Sequence, residues 1–425
     1  MMNVLLLGSG GREHAIAYKI SQSKQLTKLY VAPGNGGTST IATNVAINLS
    51  DFEDISKFIS INNIDMLIVG PEAPLADGIV DFLQAKDCHK YLKIIGPKKA
   101  GAKIESSKNF SKHFMIRHNI PTAKYQSFTQ ENIDEGYKFL ESLKAPYVLK
   151  ADGLAAGKGV LILDNIDEAK AELKEMLCND KFGKSGTTVV IEEFLKGIEL
   201  SVFIITDGKH YLILPEAKDY KRIGEHDTGL NTGGMGAVSP VPFANKEFMR
   251  KVENQIIIPT INGLTKDEID YTGFIFFGLI NCNGNPYVIE YNCRMGDPET
   301  ESVFPRIEND ILDIFNAAAN KQLDTEKLVI SDKTAATVML TAQGYPDAYN
   351  KGMPISINTN YPLIFHAGTK INNDTLVSNG GRVIAATAFG NSVAEAFCNA
   401  YKIADEINFN GKYCRHDLGK DLIDM

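Results

Sequence analysis

Three polar side chains alternate along an otherwise apolar stretch of the chain, VIEYNCRMGDPETE at 288–301. Glu290, Asn292 and Arg294 are two residues apart, and side chains at that spacing project from one face of a β-strand. Glu290 and Asn292 offer hard oxygen donors, which suit Mg²⁺ bound together with phosphates and water. Arg294 can fork onto a phosphate or a carboxylate. We therefore predict a site for a metal ion and an anionic ligand here; a structural ion-pair network is the alternative.

A lysine and two glutamates occupy two further strand-like segments. Lys150 follows an apolar run, where an unpaired ammonium would be unfavourable, so we expect an anion beside it. Glu192 and Glu193 end the other segment and precede Phe194 and Leu195. Such a segment can offer polar groups to the edge of an adenine and apolar groups to its faces. Taken alone, either glutamate is more typical of a solvated strand end.

Glycine-rich loops follow three strand-like segments near the N-terminus. The loops read GSGGREH, APGNGGT and GPEAPLADG, and they come after apolar runs at 4–8, 28–33 and 65–70. In an open parallel sheet, ligands bind beyond the carboxyl ends of the strands, where such loops lie. The first loop is not a complete dinucleotide fingerprint, because Glu13 stands where the third glycine is needed. A glycine turn into a helix N-terminus still favours one phosphate; a tight turn without a ligand is the alternative.

Two glycine loops that carry a lysine fall short of a phosphate-binding P-loop. The loop GLAAGKG at 153–159 has one spacer too few, and it has glycine where Ser or Thr would reach magnesium. In FGKSG at 182–186, Cys178 stands where the first glycine is required. The first loop can nevertheless fold over a triphosphate through its amides and its lysine. We expect it to be a lid; a surface hairpin is the alternative.

Alternating strand and helix patterns must position these residues. Four apolar runs in the N-terminal part, the last at 92–97, alternate with helical spacing, which predicts βαβ units and a parallel sheet. A polar connection at 98–107 follows, and then a helix at 108–119. The Asn283–Gly284 pair between two apolar runs predicts a β-hairpin. The C-terminal part mixes strands with a helix, so we expect a multidomain protein of the α/β and α+β classes.

Composition restricts the class of protein. The chain has 425 residues, enough for about three domains. Its N-terminus lacks a basic segment and reads as a first strand rather than a signal peptide, and no apolar run reaches the roughly 18 residues that span a bilayer. The formal charge of −8 argues against general nucleic-acid binding. Six cysteines without a CxxC pair favour reduced thiols in a cytoplasmic enzyme over disulfides or a zinc site.

A series of motifs runs through essentially the whole chain in the order found in one known family. In sequence order the motifs are GSGGREHA, APGNGGT, GPEAPL, KADGLAAGKGV, IEEFL, HDTGLNTGGMGA, YTGF, YNCRMGDPE, FHAGT and NGGRV. The chain thereby resembles the phosphoribosylamine–glycine ligases, ATP-grasp enzymes of de novo purine synthesis. The resemblance implies an N-terminal substrate-binding domain at 1–103 and a C-terminal domain at 326–425. Between them it implies an ATP-grasp domain at 104–325, with 122–192 as the ATP lid.

The resemblance also implies roles for individual residues, all numbered as in this sequence. The implied ATP-binding residues are Lys108, Lys150, Gly157, Lys158, Glu192, Glu193, Phe194, Leu195, Glu199 and Asn292. The implied ligands for Mg²⁺ or Mn²⁺ are Glu290 and Asn292. The implied catalytic residues are Lys150, Arg294 and Asp297. The implied substrate-binding residues are Gly10, Gly11, Asn35, Gly36, Glu72, Pro74, Asp219, Arg294, Gly381 and Arg382.

The implied reaction couples ATP cleavage to amide formation. The carboxylate of glycine attacks the γ-phosphate of ATP, and the amine of 5-phosphoribosylamine then attacks glycyl phosphate and expels phosphate. Positioning and charge neutralisation supply most of the catalysis, and no nucleophilic side chain is required. The expected partners are these small molecules, without nucleic acid or membrane, and the expected state is a monomer, with a weak dimer as the alternative.

Other functions remain open at this point. One is a different ATP-grasp carboxylate–amine ligase, or a carboxylase, with another acceptor. A second is a regulatory protein that binds a nucleotide without turnover, although intact Lys150, Glu290, Asn292 and Arg294 argue against it. An NAD oxidoreductase ranks below both because its fingerprint is broken at Glu13.

Overall fold

The computed structural model describes residues 1–153, 159–179, 181 and 186–423. The α-helices are α1 (Gly11–Ser21), α2 (Phe52–Ile61), α3 (Glu72–Asp77), α4 (Ile79–Gln84), α5 (Lys99–Ser106), α6 (Lys108–Arg117), α7 (Ile133–Ser142), α8 (Ile166–Cys178), α9 (Lys246–Val252), α10 (Ile258–Lys266), α11 (Glu299–Val303), α12 (Ile311–Ala319) and α13 (Val393–Asp405). None of the described helices is long and apolar enough to cross a membrane.

The β-strands are short in most of the chain and longest in the central and C-terminal sheets. They are β1 (Met2–Gly8), β2 (Leu26–Pro33), β3 (Thr43–Asn44), β4 (Met66–Val69), β5 (Lys93–Ile95), β6 (Tyr125–Phe128), β7 (Tyr147–Ala151), β8 (Val160–Leu163), β9 (Val189–Glu193), β10 (Ile198–Thr206), β11 (Tyr211–Ile213), β12 (Lys218–Asp219), β13 (Arg222–Gly224), β14 (Thr228–Asn231), β15 (Gly236–Ser239), β16 (Gly273–Cys282), β17 (Asn285–Asn292), β18 (Thr334–Thr341), β19 (Ser356–Ile357), β20 (Ile364–His366), β21 (Thr369–Asn372), β22 (Thr375–Ser378), β23 (Arg382–Gly390) and β24 (Ile407–Asn408).

The N-terminal residues form a five-stranded parallel sheet in the order β3-β2-β1-β4-β5. The apolar run of β1 is buried on both faces: Leu5 and Leu7 pack into one core cluster, and Leu6 packs into another. Continuous burial of this kind is typical of a parallel strand covered by helices. The predicted parallel sheet is confirmed, and its topology brings the loops after β1, β2 and β4 to one edge.

Two antiparallel sheets form the central part of the chain. One has the order β11-β10-β16-β17, and the other has the order β6-β9-β7-β8. The hairpin between β16 and β17 turns at Asn283 and Gly284, whose φ angles are 52° and 80°. Positive φ at both central residues is the reason that this turn favours Asn-Gly, and the predicted hairpin is confirmed. It places β17, which carries Glu290 and Asn292, at the edge of its sheet, and Arg294 lies two residues beyond the end of the strand.

The C-terminal residues form an antiparallel sheet in the order β12-β15-β18-β23-β20. Helix α13 covers one face through Ala396, Phe397 and Ala400, which belong to the same core cluster as the apolar residues of β18 and β23. Strands β12 and β15 join this sheet although they precede β18 by almost a hundred residues. The C-terminal sheet is therefore built partly from the glycine-rich region at 218–240, and the domain limits derived from the sequence stay a prediction.

The interpretation of residues 98–107 as a polar connection is wrong. Residues 99–106 form α5, and Ser107 then caps α6 by accepting the backbone N–H of Phe110 at 3.0 Å. The lysines make this segment look polar in the sequence, but one face of the helix is buried and includes Ala102 and Ile104. Helical spacing of only a few apolar residues produces this face, and it brings Glu105 into the interior.

Candidate active site

A small cleft of about 10 Å³ lies beside β17, where the strand carries a β-bulge. Gly278 pairs with Glu290, whereas Leu279 pairs with Val288, so Ile289 is an extra residue on β17. Because a bulge re-aims neighbouring side chains, Ile289 and Glu290 both line the cleft. The other lining residues are Glu199, Leu200, Ser201, Asp219, Lys221, Phe276, Gly278 and Leu279. The cleft thus combines apolar walls with charged groups at its rim.

Glu290 and Asn292 are the two oxygen donors at the end of β17. Asn292 is 7% exposed, and its side-chain nitrogen has no hydrogen-bond partner among the described residues. Buried amides rarely lack a partner, and a phosphate oxygen would supply an acceptor while the amide oxygen serves a cation. The described residues contain no group of three or more His, Cys, Asp or Glu that could hold a metal. The donors therefore fit Mg²⁺ or Mn²⁺ when substrate phosphates and water complete the coordination.

Lys150 belongs to a buried ion-pair network. Its ammonium lies 3.0 Å from one carboxylate oxygen of Glu192 on the adjacent strand β9 and donates to the backbone oxygen of Ile289 at 3.3 Å. The other oxygen of Glu192 lies 3.0 Å from the ammonium of Lys112 on α6. Glu192 is 3% exposed, so the interpretation of this residue as a solvated strand end is wrong. The anion that we expected beside Lys150 is a side chain of the protein.

Opposite charges keep this network ionised in spite of its burial. Burial raises the pKa of Glu192, but the charges of Lys150 and Lys112 lower it by a larger amount. The pKa of Glu192 therefore lies below its usual value. Burial lowers the pKa of Lys112 to about 8, with Glu192 opposing the shift. Lys112 was not predicted, since a single lysine on a helix gives no sign in the sequence that it is buried.

Further ammonium groups lie around the cleft. Lys108 begins α6 and donates to the backbone oxygen of Gly153 at 2.9 Å. Burial lowers the pKa of Lys108, and the charge of Glu290 opposes that shift. Lys221 lies 2.7 Å from Glu199, and although burial lowers the pKa of Lys221, nearby carboxylates raise it well above its usual value. Cations from α6, β7 and the segment after β12 therefore converge as a polyphosphate would require.

The segment after β9 lies between the two central sheets. The side chain of Glu193 accepts a backbone N–H of the segment before β6 at 2.9 Å. Phe194 is 41% exposed, and Leu195 is half-buried. An exposed aromatic ring beside a charged cleft is an apolar surface available to a ligand. The predicted lid residues Gly157 and Lys158 lie outside the described residues.

Arg294 extends from the end of β17 between two carboxylates. Its Nη2 lies 3.1 Å from Glu105, its Nε lies 3.5 Å from Glu72, and its Nη1 donates to the backbone oxygen of Met295 at 3.2 Å. Burial lowers the pKa of Arg294, and Glu105 and Glu72 raise it by more, so the guanidinium stays charged. A fixed guanidinium with its N–H groups is therefore held two residues beyond the strand that carries the oxygen donors. Glu105 was missed because it lies in the segment taken as a connection.

Arg382 joins the C-terminal sheet to the loop after β17. Its guanidinium lies 3.0 Å from the carboxylate of Asp297, and it also donates to the backbone oxygens of Asp297 and Gly233, each at 2.6 Å. Gly381 packs against the ring of Tyr345, which leaves no space for a larger side chain. The structure thus brings three of the predicted site residues, Asp297, Gly381 and Arg382, to one place.

The loops after β1 and β2 use part of their backbone within the protein. The N–H of Gly10 donates to the carboxylate of Glu13 at 2.7 Å, and the N–H of Gly36 donates to the hydroxyl of Thr369 at 3.2 Å. The buried amide of Asn35 donates to the loop after β1 at 2.9 Å and to the last residue of β20 at 2.7 Å. These contacts dock C-terminal strands onto the N-terminal loops and close one side of the predicted substrate site.

The first turns of α1 and α3 lie beside Arg294. Arg12 pairs with Glu13 at 2.6 Å and donates to the backbone oxygen after Arg294 at 3.2 Å. Gly11 packs against the carboxylate of Glu301, so a larger side chain would clash there. Pro74 is buried within α3. Arg12 was not predicted as a site residue, although the motif GSGGREHA contains it, because only the glycines of that motif suggested a ligand.

Two buried carboxyl groups follow Asp297 on α11. Glu299 is 3% exposed and accepts the hydroxyl of Ser201 at 2.9 Å. Burial raises the pKa of Glu299 to about 7, and the charge of Asp219 raises it as well. Burial also raises the pKa of Glu301 well above its usual value, and neither of its carboxylate oxygens has a hydrogen-bond partner among the described residues. Neither glutamate was assigned a role from the sequence.

Replacing Glu299 with glutamine is expected to flatten the dependence of stability on pH. The folded protein binds the proton of Glu299 more tightly than the unfolded chain does, since the pKa rises from 4.5 to about 7. The free energy of unfolding of the wild type therefore falls from pH 4.5 to pH 7 relative to the variant, by up to about 1.4 kcal/mol per pH unit. Urea unfolding across this range measures the difference. The exposed-site variant Glu308→Gln should track the wild type; parallel curves for Glu299→Gln would contradict the assignment.

The parallel N-terminal sheet, the two central antiparallel sheets and the charged cleft beside β17 define an ATP-grasp protein. Three family models match the chain: phosphoribosylglycinamide synthetase N domain at residues 2–105, ATP-grasp (A) domain at 106–300 and C domain at 335–421. A phosphoribosylamine–glycine ligase of Pasteurella multocida is 45% identical over 424 residues, which cover 98% of this chain and 97% of the relative.

Solved structures agree with this assignment. The crystal structure of the phosphoribosylamine–glycine ligase from Thermotoga maritima is 34% identical with a TM-score of 0.84, over 98% of this chain and 99% of that one. The biotin carboxylase of Campylobacter jejuni, at 14% identity and a TM-score of 0.73, covers 99% of this chain and 94% of that one, and it shares the fold alone. The chain belongs to the phosphoribosylamine–glycine ligase (phosphoribosylglycinamide synthetase) family.

Proposed function

We propose that the protein catalyses the ATP-dependent ligation of glycine to 5-phosphoribosylamine. The products are glycinamide ribonucleotide, ADP and phosphate, and glycyl phosphate is the intermediate. One observation carries the proposal: Glu290 lines a cleft together with Lys221, and Asn292 ends the same strand, β17. Lys150 donates to the backbone oxygen of Ile289 beside this cleft, the charge of Glu290 acts on Lys108, and Arg294 follows the strand. The reaction is a carbon–nitrogen ligation in purine biosynthesis.

The cleft would hold ATP with its base beside the segment after β9 and its phosphates toward β17. Phe194, Leu195 and Ile289 would contact the base, Glu192 and Glu193 would fix this segment, and Glu199 would lie near the ribose. Lys108 and Lys150 would meet the phosphates, as would Gly157 and Lys158. Glu290 and Asn292 would hold Mg²⁺ or Mn²⁺, which when bound neutralises phosphate charge. The resemblance to the family supports these roles, and so do the oxygen donors and cations of the described residues around β17.

Arg294 would stabilise the transferring phosphoryl group and then the acyl phosphate. Its guanidinium is held in place by Glu105 and by the backbone oxygen of Met295. Asp297 would orient the substrates through its contact with Arg382. Gly10, Gly11, Asn35, Gly36, Glu72, Pro74, Asp219, Gly381 and Arg382 would form or support the site for phosphoribosylamine and glycine. Burial of this region excludes water, which protects an acyl phosphate from hydrolysis.

The proposal also covers the domain limits and the oligomeric state of the protein. The substrate-binding domain would span 1–103, the ATP-grasp domain 104–325 with its lid at 122–192, and the C-terminal domain 326–425. The protein would act in the cytoplasm as a monomer, with a weak dimer as the alternative. Gel filtration coupled to light scattering distinguishes these two states.

The proposed function is tested by measuring ADP release with ATP, Mg²⁺ and glycine, with and without freshly generated phosphoribosylamine. We expect ADP formation that requires both substrates, together with one glycinamide ribonucleotide per ADP. ADP formation with a different amine or carboxylate would identify another ATP-grasp ligase. Tight ATP binding without substrate-dependent ADP would identify a nucleotide-binding protein without turnover and refute the proposed reaction.

A further inference from the structure

Glu105 makes contacts with two consecutive residues at the end of β17. Its Oε2 accepts the backbone N–H of Cys293 at 2.8 Å and the thiol of Cys293 at 3.0 Å. Its Oε1 lies 3.1 Å from Nη2 of Arg294. One buried carboxylate therefore fixes the backbone immediately before Arg294 and the charged end of its side chain.

These contacts leave part of the guanidinium available to a ligand. Each terminal nitrogen of an arginine carries two N–H groups. Glu105 engages Nη2 of Arg294, and the backbone oxygen of Met295 engages Nη1. Two further N–H groups, one on each terminal nitrogen, remain for an anion. The guanidinium is thus held by fixed partners while N–H groups remain that can donate to an oxygen of a phosphate or carboxylate.

Glu105 also links the position of Arg294 to that of Lys108, the lysine proposed to bind phosphate. It lies at the end of α5, and Lys108 begins α6 only three residues later. Ser107 between the two helices donates its hydroxyl to Asp152 at 3.2 Å, which fixes the bend. A shift of α5 would therefore move Arg294 and Lys108 together, and both groups must meet the same polyphosphate.

We propose that Glu105 is a positioning residue for the ligation, holding the guanidinium of Arg294 in the orientation in which it meets the transferring phosphoryl group. This inference rests on the proposed function of the Arg294 site. Glu72 differs from Glu105, because it is one-third exposed and lies at 3.5 Å from Nε of Arg294. Glu105 is the buried anchor, and Glu72 belongs to the open side of the site.

The test is a double-mutant cycle with Glu105→Ala, Arg294→Ala and the double variant. Misplacement of a catalytic group by about 1 Å lowers turnover by about 100-fold, so we expect Glu105→Ala to lower kcat by about 100-fold with a KM for ATP near that of the wild type. If Glu105 acts through Arg294, the double variant has the kcat of Arg294→Ala alone. Multiplication of the two losses in the double variant would overturn the proposal.

A second variant and a matched control exclude a general loss of folding. Glu105→Gln keeps an acceptor for the N–H of Cys293 but loses the charge, and we expect a fall in kcat of about tenfold. Asp207→Asn removes another buried carboxylate, which accepts two backbone N–H groups in the turn after β10 and the backbone N–H of Leu323. It should lose stability while it keeps the kcat of the wild type. Equal loss of kcat in Asp207→Asn and Glu105→Gln would overturn the positioning role.

A readout without turnover separates this inference from the proposed function. Phenylglyoxal modifies accessible guanidinium groups, and mass spectrometry of the peptide that contains Arg294 gives its rate of modification. We expect faster modification of Arg294 in Glu105→Gln than in the wild type or in Asp207→Asn. An unchanged rate would overturn the inference whatever reaction the protein catalyses. Absence of ligation by the wild type would instead refute the proposed function alone.

Discussion

Replacing Glu290 with alanine is expected to lower kcat for ligation by about 10³-fold. The charge stabilisation supplied by a bound metal is worth several kcal/mol, and about 1.4 kcal/mol corresponds to a factor of ten in rate. Glu290 is one of the two oxygen donors on β17 that we propose as metal ligands, and substrate phosphates should not replace it. Steady-state release of ADP, measured while Mg²⁺ and Mn²⁺ are titrated, gives both kcat and the apparent metal affinity.

Two further variants make this result specific to the metal donor. Glu290→Gln keeps the shape and one oxygen but loses the charge, so it should need a higher metal concentration for half-maximal rate. Glu308→Ala removes an exposed glutamate of the segment before α12 and should behave as the wild type. Near-normal kcat and unchanged metal dependence in folded Glu290→Ala would refute the metal assignment.

The sheets and the hairpin could be predicted because their signals are local. The apolar runs of β1 and β4 end in glycine-rich turns, and a run buried on both faces is typical of a parallel strand. The Asn283–Gly284 turn has one favoured conformation, which joins β16 to β17. The alternation of Glu290, Asn292 and Arg294 likewise shows on inspection, since all three lie at strand spacing.

Side-chain contacts between residues that are far apart in the sequence could not be predicted, because they depend on how distant segments pack in the fold. Glu105 meets Cys293 across 188 residues, and Lys112 meets Glu192 across two elements of different type. Both residues sit on short helices whose sequences are mostly polar, so nothing local marks them as buried. The bulge at Ile289 was also hidden, because it is visible only in the pairing of β17 with β16.

Replacing Lys150 with methionine is expected to reduce both stability and turnover. Lys150 is one of two ammonium groups on the buried carboxylate of Glu192. Because Lys112 still pairs with that carboxylate, the loss of Lys150 should cost less than the roughly 3–5 kcal/mol of a buried charge left without any partner. The same change removes a cation from the proposed phosphate site, so kcat/KM for ATP should fall by about 100-fold. Urea unfolding and initial-rate kinetics on the folded variant measure the two effects separately.

Lys112 provides the matched comparison, because it contacts the other oxygen of Glu192 and the hydroxyl of Thr122 at 2.8 Å. Lys112→Met should lose as much stability as Lys150→Met but less than about tenfold in kcat/KM. The double variant Lys150→Met with Glu192→Gln leaves the buried ammonium of Lys112 without its carboxylate partner, so it should lose further stability while turnover stays low. Recovery of turnover in the double variant, or equal losses in the two lysine variants, would mean that Lys150 acts only through Glu192 and that another cation meets the triphosphate.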